Sequence, residues 1–173
     1  TSVQILDVGS SHTNTVKALG GDVRTFSLSK PSGINPFKYV NDQHIAIEDR
    51  SSILASFINN LILEIGERDL SRDLKGKIEK EVISFVETYG EYSKELTIND
   101  FLDNTKDFER KDLLRRYAKG GLYQNIFMPN ESKSTEKNAL EYFDFEEIFQ
   151  ATDTSFSKAG MSALITCFNY SVL

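Results

Sequence analysis

The sequence predicts an α/β fold, predominantly helical, whose sheet is interrupted by a large all-α insertion. Three observations carry that expectation. Two strand-like runs, Val3 to Val8 and Val23 to Leu28, flank a short helical stretch, which is the spacing of a βαβ unit. A long middle region repeats apolar residues at helical intervals, and an aromatic-rich run then restores strand character before a last helix.

The first run, Val3-Gln4-Ile5-Leu6-Asp7-Val8 ending at Gly9, is nearly continuous in apolar residues, as for a parallel strand buried on both faces. Ser10-Ser11 can cap the helix that follows, whose Val16 and Leu19 precede a stop at Gly20-Gly21. A right-handed crossover then sets the run through Val23, Phe26 and Leu28 beside the first strand, or as its near neighbour. Pro31-Ser32-Gly33 and Ile34-Asn35-Pro36-Phe37 break the pattern, so a loop leaves the sheet there.

Between Asp49 and Ile65 the residues Ile53, Leu54, Phe57, Ile58, Leu61, Ile62 and Ile65 form one wide helix face. A second helix carries Leu74, Ile78, Val82, Phe85, Val86 and Tyr89 to Gly90, and the short connection predicts that it runs antiparallel to the first. Thr97-Ile98-Asn99-Asp100 reads as a capping box opening a short helix with Phe101 and Leu102. A further helix is expected from Phe108 to Lys119, closed by Gly120-Gly121, with an extended piece over Leu122–Phe127. Met128 to Lys137, rich in polar residues, is the expected mobile loop. Leu140, Tyr142, Phe143 and Phe145 form the returning strand up to Glu146, and the last helix is expected from Phe156 to Val172. The expected division is therefore an α/β part over 1–45, an all-α insertion over 46–137 and a return to the α/β part over 138–173. Because the chain starts at Thr1 with a strand-like run, it reads as an internal piece of a larger protein.

Composition narrows the function classes. Hydrophobic residues are 39% and charged residues 27%, ordinary for a folded chain. A net charge of −6 opposes binding to a phosphate backbone, so no direct nucleic-acid binding is expected. No apolar run approaches the roughly 20 residues of a membrane-spanning helix. A single cysteine, Cys167, rules out an internal disulfide, and with only His12 and His44 beside it there is no zinc site of the cysteine/histidine type.

Asp7 and Ser10 sit where a parallel strand gives way to a helix, the edge at which such sheets bind ligands. The chain contains neither G-x-G-x-x-G nor G-x-x-x-x-G-K-[ST], and these residues read as strand terminator and helix cap. Asp144 and Glu146, two apart on the expected strand, would share a face as an acid/base pair does, yet among 26 carboxylates they read as solvated or capping groups. Arg110, Lys111, Arg115, Arg116 and Lys119 read as a solvated helix face, with Asp112 and Arg116 spaced to pair. His12 and His44 read as surface residues and Cys167 as a buried, inert thiol. No catalytic residue and no metal ligand is assigned.

Taken in order, Asp7-Val8-Gly9-Ser10-Ser11, Ala18-Leu19-Gly20-Gly21, Phe26 and Ile34-Asn35-Pro36-Phe37 resemble the stretch after the P-loop helix in TraC-type conjugative-transfer ATPases of type IV secretion. Asp112-Leu113-Leu114, Tyr117, Gly120-Gly121-Leu122-Tyr123 and Phe127 resemble the end of that family's helical insertion. Tyr142-Phe143-Asp144-Phe145-Glu146 resembles the strand that resumes its core. The resemblance covers nearly the whole chain and implies a fragment of a RecA-like P-loop NTPase core. The P-loop would lie upstream of Thr1 and the Walker B acidic pair beyond Leu173. Where the family usually has arginine, this chain has Ser10.

The resemblance further implies a parent that binds ATP and magnesium, whereas this piece holds no cofactor. That parent would be a cytoplasmic homo-oligomer, peripheral at the inner membrane, in contact with other secretion components and powering pilus assembly or substrate transfer. The alternative is a free-standing acidic helical interaction module or the remnant of a decayed gene.

Overall fold

A computed structural model describes residues 3–64, 66–128, 140–150 and 154–172 of the 173. The expected mobile loop, apart from Met128, and Ile65 lie outside the described residues, as do the side chains of Cys167 and Phe168.

The chain is helix-rich around a small sheet of three parallel strands, β1 (Val3–Asp7), β2 (Asp22–Thr25) and β3 (Leu140–Asp144), in the order β1-β3-β2. Strand β3 thus separates the two strands of the βαβ unit, which are near neighbours and not adjacent. Its register sets Val3 against Leu140 and Asp7 against Asp144 on one side, and Thr25 against Asp144 on the other.

The expectation that β1 is buried on both faces fails: Val3 and Leu6 are 52% and 51% exposed. The six-residue helix α1 (Thr13–Ala18) packs on β2 and β3, with Val16 buried, so it leaves β1 thinly covered at the rim of the sheet. Nor do the serines cap α1. Its N-cap is His12, without a side-chain bond, because the Ser10 hydroxyl is engaged across the sheet edge.

The helical region is built on α2 (Ile47–Ile62), which packs against both α3 (Arg72–Tyr89) and α6 (Thr154–Val172). Leu54, Phe57, Ile58, Leu61 and Ile62 supply its buried face, while Glu48 and Asp49 complement the helix dipole in its first turn. It ends three residues short of Ile65. The Glu64 amide donates to the Glu67 carboxylate (2.9 Å) in place of the Asn60 carbonyl, so the next helical bond is not made, and the Leu63 carbonyl accepts from Lys158 Nζ of α6. Ser71 caps α3 by accepting from the Leu74 amide (3.2 Å), and Gly90 at its far end lies against Arg50 near the start of α2, which makes the pair antiparallel. The capping box is present at α4 (Ile98–Asn104), with the Asp100 carboxylate accepting from the Thr97 amide at 2.8 Å.

Between Phe108 and Phe127 the structure differs from the sequence reading. The helix expected from Phe108 to Lys119 is a 3-10 helix over Lys111–Tyr117, because Arg110 takes a left-handed backbone (φ 68°) and pairs twice with Glu67 (2.7 and 2.9 Å). The extended piece over Leu122–Phe127 is a turn and a second 3-10 helix, Gln124–Ile126. Gly121 and Tyr123 donate back to Ala118 and Arg116, which folds the chain onto itself. The basic stretch is not a uniform solvated face either: Lys111 is buried and donates to the Thr105 carbonyl at 2.6 Å.

A third 3-10 helix, Pro36–Asn41, joins the sheet side to the helices. The short helix α5 (Glu146–Gln150), not expected from the sequence, follows β3, and α6 starts at Thr154. One apolar cluster draws on Phe26 and Phe37, on the buried faces of α2 and α3, and on Phe143, Phe145 and Ala159. It therefore includes residues from all three expected segments. Among the described residues, no helix is long and apolar enough to cross a membrane.

Candidate functional site

The parallel register brings the carboxyl ends of β1 and β3 together, with Asp7 directly opposite Asp144. The chain leaves β1 through two left-handed residues, Gly9 (φ 116°) and Ser10 (φ 56°). The first conformation suits glycine because a Cβ would clash with the backbone, and the second is uncommon for serine. That turn carries Ser10 back over the sheet edge. Its Oγ lies 2.5 Å from Asp144 Oδ2 and 3.0 Å from Glu146 Oε2, so one hydroxyl proton is shared between two carboxylate acceptors.

Asp7 is fully engaged. Its Oδ1 accepts from the Val8 amide (2.8 Å), and its Oδ2 accepts from the Ser11 amide (3.1 Å) and the Tyr142 hydroxyl (2.6 Å). The Tyr142 bond, aided by the two amides, holds the Asp7 carboxyl below the usual aspartate range against the opposing effect of desolvation. Burial and the same bond push the Tyr142 phenol above its ordinary value. Asp144 Oδ1 accepts from the Glu146 amide (3.0 Å), which starts α5, and Gln150 donates to Glu146 Oε1 (3.0 Å).

Chemically, this arrangement braces a turn. Every carboxylate in it accepts from neighbouring amides or hydroxyls, and the Ser10 hydroxyl is spent on the two carboxylates that flank it. Among the described residues no set of three or more His, Cys, Asp or Glu is placed to hold a metal ion. His12 and His44 are exposed.

Replacing Tyr142 by phenylalanine is expected to raise the Asp7 pKa towards its ordinary value, as read by carboxyl NMR titration. A folded pKa below the unfolded one gives stability that is present above the ordinary carboxylate range and lost as pH falls through the lowered value. The variant's melting temperature should therefore depend less on pH on the acid side. An unchanged Asp7 titration would contradict the assignment.

The remaining motif positions lie elsewhere. Gly20 and Gly21 close α1 at the opposite end of the sheet, where a Cβ on Gly21 would lie 2.7 Å from Val16 Cγ1 and 2.9 Å from Leu140 Cγ. Asn35 accepts from the Phe37 amide (3.1 Å) and donates to the Leu96 carbonyl (2.7 Å), with Pro36 opening the 3-10 helix. Gly120 and Gly121 turn the chain after Tyr117, and Phe127 packs edge-on to Phe57 at 5.2 Å. The structure thus unites Asp7, Gly9 and Glu146 at the sheet edge and distributes the others through the scaffold.

Two participants escaped the sequence reading. Tyr142 was assigned only to an aromatic strand, and its partner becomes visible only once β3 is paired with β1. The start of α5 did leave a signal, a capping Asp144 ahead of Glu146 and Glu147 in a first turn.

No family model and no curated protein sequence matches the chain. Among solved structures it is similar to VirB4 of Thermoanaerobacter pseudethanolicus, with a TM-score of 0.69 and 18% sequence identity over 98% of this chain and 49% of that one. The chain spans about half the length of that VirB4 structure, and what the two share at this identity is the fold.

Proposed function

We propose that the chain is a segment of a type IV secretion ATPase of the VirB4 or TraC kind, forming part of the wall of its nucleotide-binding core together with a helical insertion over 46–137. The observation that carries this reading is the likeness in fold to VirB4 over 98% of the chain. The TraC-like motifs support it by occurring in the family's order from Asp7 to Glu146.

In this reading ATP and magnesium are held by groups outside these residues. Phosphoryl transfer needs a cradle of amides, a lysine and a carboxylate-held metal, and the braced carboxylates at Asp7, Asp144 and Glu146 are not arranged to supply them. The parent is a cytoplasmic homo-oligomer, peripheral at the inner membrane, that works with other secretion components in pilus assembly or conjugative transfer.

The 173-residue chain is expected to show no ATP turnover and to bind ATP no more tightly than about 1 mM, or about −4 kcal/mol. Micromolar, magnesium-dependent binding in calorimetry would refute this. A second check is the extended reading frame, which should carry a G-x-x-x-x-G-K-[ST] run before Thr1 and an apolar strand ending in Asp-Glu after Leu173. A frame with neither defeats the proposal.

A further inference from the structure

Helices α2 and α3 enclose a groove of about 350 Å³ on their outer side, away from the sheet edge already described. Small side chains on α2, among them Ser51 and Ala55, open it. One wall is the stripe Glu79, Ile83 and Glu87, each four residues from the next on α3 and so on one helix face. Ile83 is 45% exposed in the middle of that stripe.

Two features set this groove apart from ordinary surface. First, its charge has one sign: Glu48, Glu79 and Glu87 line it with no lysine or arginine, and none of the three has an ion-pair partner among the described residues. Second, it contains an unmet polar group: Asn59 Oδ1, which lines the groove, is buried and has no hydrogen-bond partner among the described residues. Burying polar atoms without partners is unfavourable, and a bound donor relieves it.

We propose that this groove is a docking site for an amphipathic helix of another protein, one that presents a single apolar side chain with a lysine or arginine four residues before it and four after. The spacing follows from the stripe. Glu79 and Glu87 each lie about 6 Å along the helix axis from Ile83, the rise of four residues, so a helix laid along α3 matches all three positions with the same interval. The apolar side chain covers Ile83 and Ala55, and the two cations meet the carboxylates. Charge complementarity selects this occupant over nucleic acid, which the acidic rim repels. The docking is independent of nucleotide, so it stands or falls separately from the ATPase reading.

The test is calorimetric titration of the 173-residue chain with a synthetic helical peptide of about fifteen residues bearing Lys-x-x-x-Leu-x-x-x-Lys on one face, and with its twin carrying glutamate at both lysine positions. The lysine peptide is expected to bind with a dissociation constant on the order of 10–100 µM at low salt, and the glutamate twin at least about tenfold more weakly. Ile83→Asp should weaken the lysine peptide about tenfold. The pair Glu79→Lys and Glu87→Lys should reverse the preference between the two peptides, a swap that a merely structural role for these carboxylates would not produce. These positions are exposed, so circular dichroism and melting temperature should stay unchanged. Equal binding of the two peptides, indifference to Ile83→Asp, or no binding at 1 mM would overturn the proposal. So would self-association that Ile83→Asp abolishes, since the groove would then receive a second copy of the chain.

Discussion

Truncating Phe37 to alanine is expected to lower the free energy of unfolding by about 3–5 kcal/mol. The ring is fully buried and meets Phe57 edge-on at 6.1 Å and Phe101 at 5.8 Å. It therefore links the 3-10 helix over Pro36–Asn41 to α2 and to α4 at a single point. Neither partner can follow it into the space it leaves, because Phe57 is also held by Phe127 and Phe101 by Phe85 (5.3 Å). Against a total stability of about 5–15 kcal/mol for a domain, such a loss brings the chain close to unfolding at room temperature. A urea titration reads it as a lower midpoint at unchanged slope. A loss below about 1 kcal/mol would mean that the rings around Phe37 collapse into the gap, contrary to the packing described.

The second large effect is expected at Gly121. A Cβ there would sit 2.3 Å from the Arg115 carbonyl oxygen and 2.4 Å from that of Arg116. Both are main-chain atoms, and the Tyr123 amide bonds the Arg116 carbonyl at 2.8 Å, so the obstruction cannot rotate away as a side chain would. Gly121→Ala should cost about 3 kcal/mol or more, at the upper end of what overpacking does. Its neighbour provides the control. Around Gly120 a Cβ meets nothing within 4 Å, and Gly120→Ala pays only for a left-handed backbone (φ 85°), about 1–2 kcal/mol. Thermal denaturation of the two variants should rank Gly121→Ala well below Gly120→Ala, and the reverse order would contradict the tight turn after Tyr117.

Periodicity made the long helices legible. Leu54, Phe57, Ile58 and Leu61 mark the face of α2 unaided, and the same holds for Leu74, Ile78, Val82 and Phe85 on α3, because a helix of four or more turns repeats its signal. The capping box at Thr97 was legible for a different reason: both of its partners lie within one turn. Short elements offer no such repetition. A seven-residue 3-10 helix and an α-helix of the same length share nearly the same apolar spacing, and what separates them over Lys111–Tyr117 is the left-handed Arg110 and its pairing with Glu67, 43 residues away. The candidate site was half legible for the same reason. Its place at the end of β1 follows from local pattern, whereas the bonds from Tyr142 to Asp7 and from Ser10 to Asp144 span 135 and 134 residues and depend on register. Buried Lys111 and Arg50 left no trace at all, since their partners are backbone carbonyls.

The pairing of Val3 with Leu140 brings together two points separated by most of the polypeptide. In a flexible chain, closing a ring of that size costs about 4 kcal/mol of entropy beyond the fixed term. The folded helices between the strands hold the ends of the ring close and so offset that cost. Although β1, β2 and β3 look like the foundation of the molecule, they depend on the helices for their existence. An injury deep among the helices, far from any strand, should dissolve the sheet in the same cooperative step.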